Sequence, residues 1–155
     1  MQIANQGETS GCSLAFPTAS RGAPMSGAAS ADAIALLLRA LVLDVFDEHD
    51  PGKRAAAIER IFTADCEFAD PYGAYRGHAD IEQVVLNIQA KFRGFRFHLT
   101  SEAQVIVNGG RITWSSGPPE APATLRGTDV ALVRDGRIAV LLTFMDLPDG
   151  TALSR

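Results

Sequence analysis

Residues 124–147, TLRGTDVALVRDGRIAVLLTFMDL, impose the strongest constraint on this chain. Two apolar runs, 124–133 and 137–147, flank Arg134-Asp135-Gly136, and that arrangement predicts a β-hairpin. Side chains alternate along a strand, yet here neither alternating set is polar. Val130 and Leu132 share one face and Ala131 and Val133 the other; Val140 and Leu142 then stand opposite Leu141 and Met145. A sheet with two apolar faces must have both covered. Helices can cover one face, and a second subunit is the expected cover for the other.

The helices come first in the chain. Ile34, Leu37, Leu38, Leu41, Val42, Val45 and Phe46 recur at helical spacing and predict a helix over 31–48, with Ser30 or Asp32 as its cap. Pro51 and Gly52 break it, and a shorter helix follows over 53–63. Residues 66–69 read as a short strand, and 70–77, DPYGAYRG, as a turn-rich link. A third helix is expected over 79–93, with Asp80 and Glu82 in its first turn and Lys91 and Arg93 in its last, as the helix dipole favours. The rest alternates like sheet: a strand over 95–107, a turn at 108–110, a strand over 111–116, an irregular connection over 117–123, then the hairpin. Helices grouped ahead of antiparallel strands define an α+β domain.

The 155 residues suffice for one domain with a sizeable core. We read 1–30 as a flexible leader, with Met25 as an alternative start, 31–148 as the domain and 149–155 as a tail. A formal charge of −4 with scattered Lys and Arg argues against nucleic acid or an anionic membrane as main partner. The most apolar run, 33–46, is interrupted by Arg39 and Asp44 and falls short of the ~18 residues of a membrane span. Cys12 and Cys66 are read as unpaired, which suits a reducing cytoplasm, the expected location. His49, His78 and His98 have no metal-ligand spacing, so no metal is expected.

Two carboxylates carry the functional argument. Cys66, Phe68 and Asp70 share a strand face, and the residue before a proline keeps extended geometry. Asp70 therefore either begins a turn through Asp-Pro or points inward beside Phe68, where desolvation would make it a base. Asp129 alternates with Gly127 and Ala131 in an apolar strand. Buried there it must be paired or protonated. A protonated carboxyl could donate to a developing oxyanion; a bond to nearby backbone or to Arg126 is the alternative. His98, Tyr72, Tyr75, Trp114, Phe68 and Phe46 are the candidate pocket-lining residues.

The stretch IFTADCEFADPYGAYRGHADIEQVV resembles the opening of the SnoaL-like, nuclear transport factor 2-like superfamily, and ITWSSGPP with LRGTDVALVRDGRIAVLLTFMDL resembles its closing strands. The resemblance covers about residues 31–148. It implies a cone-shaped, curved antiparallel sheet packed against three N-terminal helices around one pocket, usually in a homodimer. Within the superfamily, ketosteroid isomerase is similar around both aspartates, and its division of roles implies Asp70 as general base and Asp129 as the protonated oxyanion donor. That enzyme also carries an oxyanion-hole tyrosine on its first helix, where this chain has Leu43 or Phe46. Polyketide cyclases of the family use an acidic base and a histidine, which Asp129 and His98 would supply. The expectation is a small hydrophobic carbonyl compound as ligand, turned over by an isomerase or cyclase without a cofactor. A non-catalytic binding or dimeric assembly module, and a hydrolase or dehydratase, remain as alternatives.

Overall fold

The computed structural model describes residues 29–146. Cys12, Met25, most of the expected leader and all of the expected tail lie outside the described residues. Helix α1 spans Ala31–Ala40, and the Ser30 hydroxyl caps it by accepting the Ala33 N–H at 3.1 Å. The helix expected over 31–48 then widens into a π-helical stretch, Leu41–Phe46, closed by the Asp47 N–H donating to Val42 O. Such widened turns concentrate at functional sites. Helix α2, Pro51–Ile61, starts two residues earlier than expected, because Asp50 accepts the Lys53 N–H at 2.8 Å and Pro51 suits a first turn.

Strand β1 follows α2 without a loop and runs Phe62–Asp70, so it begins well before Cys66. The link after Asp70 is itself a hairpin: β2, Gly73–Arg76, pairs back with Asp70 opposite Gly73. Helix α3 is Gly77–Lys91, entered through Gly77 at φ 81°. The single strand expected over 95–107 is two, β3 Arg96–Leu99 and β4 Gln104–Ile106, both paired with β5, Gly109–Gly117. Strands β6, Leu125–Arg134, and β7, Arg137–Met145, form the predicted hairpin. Its two-residue turn has Asp135 at φ 52° and Gly136 at φ 73°, the left-handed pair that matches strand twist.

The seven strands form one curved, unclosed sheet in the order β2-β1-β7-β6-β5-β3, with β4 also on β5. The α+β architecture with three helices is as expected, with one difference in strand direction. Strand β1 runs parallel to β7, so the sheet is mixed rather than wholly antiparallel. No hairpin links β1 to β7. The connection between them contains α3 and five strands, which leaves a parallel pairing open.

The helices cover the inner face, burying Ile34, Leu38, Ile58, Ile81, Ile112 and Leu141. Arg54, 1% exposed, fastens α2 to α3. Its Nε and Nη2 donate to the Glu82 carboxylate at 2.6–3.0 Å and its Nη1 to Glu48 O at 2.8 Å. The outer face stays apolar and uncovered in the single chain, with Phe144 60% and Leu132 41% exposed.

Candidate functional site

A cavity of about 60 Å³ lies between the inner sheet face and the helices. Both aspartates line it. Asp129 comes from the middle of β6, on the buried face it shares with Gly127 and Ala131. It is 2% exposed, and the Thr143 hydroxyl, opposite it on β7, donates to its Oδ1 at 2.7 Å. Burial pushes its carboxyl up to about 6, while hydrogen bonding from Thr143 and Trp114 pulls the other way. Arg126, the alternative partner, is exposed on the opposite face of β6.

Gly127 matters to this arrangement. It pairs with Trp114 on β5, and a Cβ at 127 would stand 2.5 Å from Trp114 Cζ2. The absent side chain lets the indole lie against β6 next to Asp129. From Trp114 an aromatic arc continues around the wall. Ring centroids are 5.2 Å apart for Phe97–Trp114, 6.1 Å for Phe46–Phe97 and 6.1 Å for Phe46–Phe68. Phe46 arrives there from the end of the π-helical stretch.

Asp70 is a turn residue and a cavity residue at once. Its Oδ1 accepts the N–H groups of Tyr72 at 2.8 Å and Gly73 at 2.9 Å, and the Tyr75 hydroxyl stands 3.5 Å away. Among the described residues no hydrogen bond is made to Oδ2. Tyr72 lines the cavity at its rim, 62% exposed. Lys91 Nζ stands 5.5 Å from the Tyr72 ring centroid and 5.3 Å from that of Phe92.

Two candidates fall outside the cavity wall. His98 is exposed, because β3 turns Phe97 and Leu99 inward and so turns Arg96 and His98 out. It cannot serve as the acid beside Asp129, and the cyclase-like pairing of those two residues is corrected accordingly. Tyr75 packs behind the wall, its ring 5.4 Å from that of Phe68, and burial raises its phenol pKa. Sequence reasoning missed Val42, Ile88, Phe92, Phe97, Leu125, Thr143 and Met145, which also line the cavity. Val42, Ile88 and Phe92 lie on helix stripes, where a cavity side chain and a core side chain look alike. The register of the β6–β7 hairpin could have found Thr143.

Among the described residues no three His, Cys, Asp or Glu side chains group as metal ligands would. No described helix is long and apolar enough to cross a membrane.

The family described as "SnoaL-like domain" matches residues 38–141. No curated protein matches the sequence. Among solved structures, a candidate isomerase of the SnoaL-like family from Agrobacterium tumefaciens is similar at 22% identity, covering 75% of this chain and 99% of its own, with a TM-score of 0.69. A candidate ketosteroid isomerase from Kribbella flavida is 14% identical over 79% of this chain and 84% of its own, with a TM-score of 0.59. A candidate SnoaL-like polyketide cyclase from Jannaschia is 9% identical over 81% of this chain and 91% of its own, with a TM-score of 0.62.

Proposed function

The chain belongs to the SnoaL-like domain family, and from that premise we propose that its cavity carries out proton transfer on a small hydrophobic carbonyl compound, as an isomerase or cyclase. One observation carries the reading: two carboxylates from different strands line the same aromatic cavity, and one of them is buried with its pKa raised to about 6. A group that titrates close to neutral pH exchanges its proton readily in either direction, which suits general acid–base catalysis. Asp70, through the Oδ2 left over from its turn, is the base that removes the proton α to the carbonyl. Asp129 binds the carbonyl oxygen. Negative charge developing on that oxygen raises the affinity of Asp129 for a proton, so its acid form donates to the enolate. The aromatic wall excludes water and holds the apolar part of the substrate. This scheme calls on no cofactor.

The exposed outer face of β6 and β7 supports a homodimer in which a second copy covers Val130, Leu132, Leu142 and Phe144. A non-catalytic ligand-binding module is the second reading. One observation favours it: the first helix presents Val42 and Phe46 to the cavity and no hydroxyl.

The test is deuterium incorporation at the α-carbon of a simple ketone, heptan-2-one, followed by proton NMR. The wild-type protein accelerates exchange, and Asp70→Asn and Asp129→Asn each lose at least about a hundredfold, the usual contribution of a positioned acid or base. Exchange no faster than in buffer, or unchanged in the Asp70 variant, refutes the acid–base reading and leaves the binding module.

A further inference from the structure

The cavity is too small for a whole substrate. Its volume of about 60 Å³ has room for a carbonyl group and a carbon or two, whereas small-molecule sites usually begin near ~300 Å³. The rest of the ligand needs a second chamber, and the structure has one. A groove of about 200 Å³ runs along α3 outside the cavity, and the two share Asp70, Tyr72, Ile88 and Phe92 as a common wall. Together they approach the ordinary size of a ligand site.

The two chambers differ in chemistry. The polar groups of the inner lining are the carboxylates of Asp70 and Asp129, the hydroxyl of Thr143, the indole N–H of Trp114 and the rim hydroxyl of Tyr72. The groove adds Lys91 and Asn87 from the last turns of α3, together with Tyr75. No described carboxylate forms an ion pair with Lys91. Its ammonium stands instead over the Tyr72 and Phe92 rings, the two aromatics that separate groove from cavity. The amide oxygen of Asn87 is already used, accepting from Gln83 Nε2 at 2.9 Å, which leaves its NH₂ donors free for a ligand. Asp70, the negative group at the junction, has Oδ1 held in its own turn by two backbone N–H groups. The groove thus offers an acceptor at its inner end and donors, one of them charged, along α3.

We propose that the substrate is a carbonyl compound with an anionic tail, its carbonyl end in the cavity and a carboxylate held by Lys91 and Asn87 in the groove. This rests on the reading of the cavity as the site of carbonyl chemistry and adds the class of molecule it takes. Lys91 and Asn87 set specificity through binding and touch no reacting atom.

The probes are 6-oxoheptanoate and its neutral counterpart 6-oxoheptanamide, and the readout is the fluorescence of Trp114, the one tryptophan in the chain and part of the cavity wall. The acid binds about tenfold more tightly than the amide at low salt, the scale of one charge-assisted hydrogen bond over a neutral one. The preference shrinks at high salt because the groove is open to solvent. Lys91→Gln removes the preference and Lys91→Arg retains it. Equal binding of acid and amide, or a preference that survives Lys91→Gln, overturns the proposal and leaves the cavity reading intact. If neither ketone perturbs Trp114, the cavity reading and this proposal fall together.

Discussion

Asp129→Asn should stabilise the protein at neutral pH while it disables the chemistry. The wild-type carboxyl titrates near 3.8 in the unfolded chain and near 6 in the folded one. Between those values the folded state binds more protons than the unfolded state, so stability falls as pH rises from about 4 to about 6 and then levels off. At 1.36 kcal/mol per tenfold change in proton affinity, the loss totals about 3 kcal/mol. Solvent screening does not reduce it, because the group is buried. Asparagine has the same shape and never ionises, and its amide oxygen can still accept from Thr143 Oγ1. Urea denaturation at pH 4 should therefore find the two proteins alike. At pH 7.5 the variant should be more stable by about 2–3 kcal/mol, the lower figure allowing for an imperfectly paired amide NH₂. A variant that is less stable at both pH values, or an offset that does not change with pH, would show that the carboxylate is not held in an apolar site and would remove the physical basis for its catalytic role.

Two further substitutions bear on the site and the assembly. Gly127→Ala puts a Cβ 2.5 Å from Trp114 Cζ2 and 2.7 Å from Phe144 O, so the indole must move. We expect a loss of about 1–3 kcal/mol in denaturant melts and a shift in the emission of the single tryptophan; an unchanged spectrum would mean that the ring does not lie where β6 holds it. Phe144→Asp places a charge on the uncovered outer face and should convert a dimer to a monomer in sedimentation velocity, without loss of helix or strand by circular dichroism. Equal sedimentation of both proteins would exclude that face as the subunit contact.

The parts of the fold legible in the sequence were those with a local physical code. Alternation located β5, β6 and β7. A positive-φ turn at Asp135-Gly136 set the register of the last hairpin. Helical stripes located all three helices. What the sequence concealed depends on contacts distant in the chain. The parallel β1–β7 pairing is fixed by packing, and the π-helical stretch has the same apolar spacing as an ordinary helix. In the site, alternation grouped Asp129 with Gly127 and Ala131 and offered Trp114 as a wall residue, but the packing of the helices decides that their face is the inner one. Alternation also predicts that Phe97 and His98 point opposite ways, but which of them faces inward is decided by the helix above. There Phe46 stands 6.1 Å from Phe97, and His98 is left in solvent.

Asp70 shows why its two readings were never exclusive. An Asp-Pro-Tyr-Gly turn needs one carboxylate oxygen, and Oδ1 supplies it to the N–H groups of Tyr72 and Gly73. Pro71 keeps Asp70 extended, so the side chain stays on the face of Phe68 and reaches the cavity while it serves the turn. The turn orients the carboxylate and uses one oxygen; only the other is left for a substrate proton. That division dictates which variants can report on catalysis. Asp70→Ala removes the turn acceptor together with the base, so lost activity would be ambiguous. Asp70→Asn keeps a carbonyl oxygen for both N–H groups and puts an amide where Oδ2 was. It should therefore melt within about 1 kcal/mol of wild type, since the turn bonds persist, and lose α-proton exchange. Asp70→Glu should do the reverse of a conservative change. Its carboxylate survives, but the longer side chain cannot close the same turn, so it should lose stability and retain at most weak exchange.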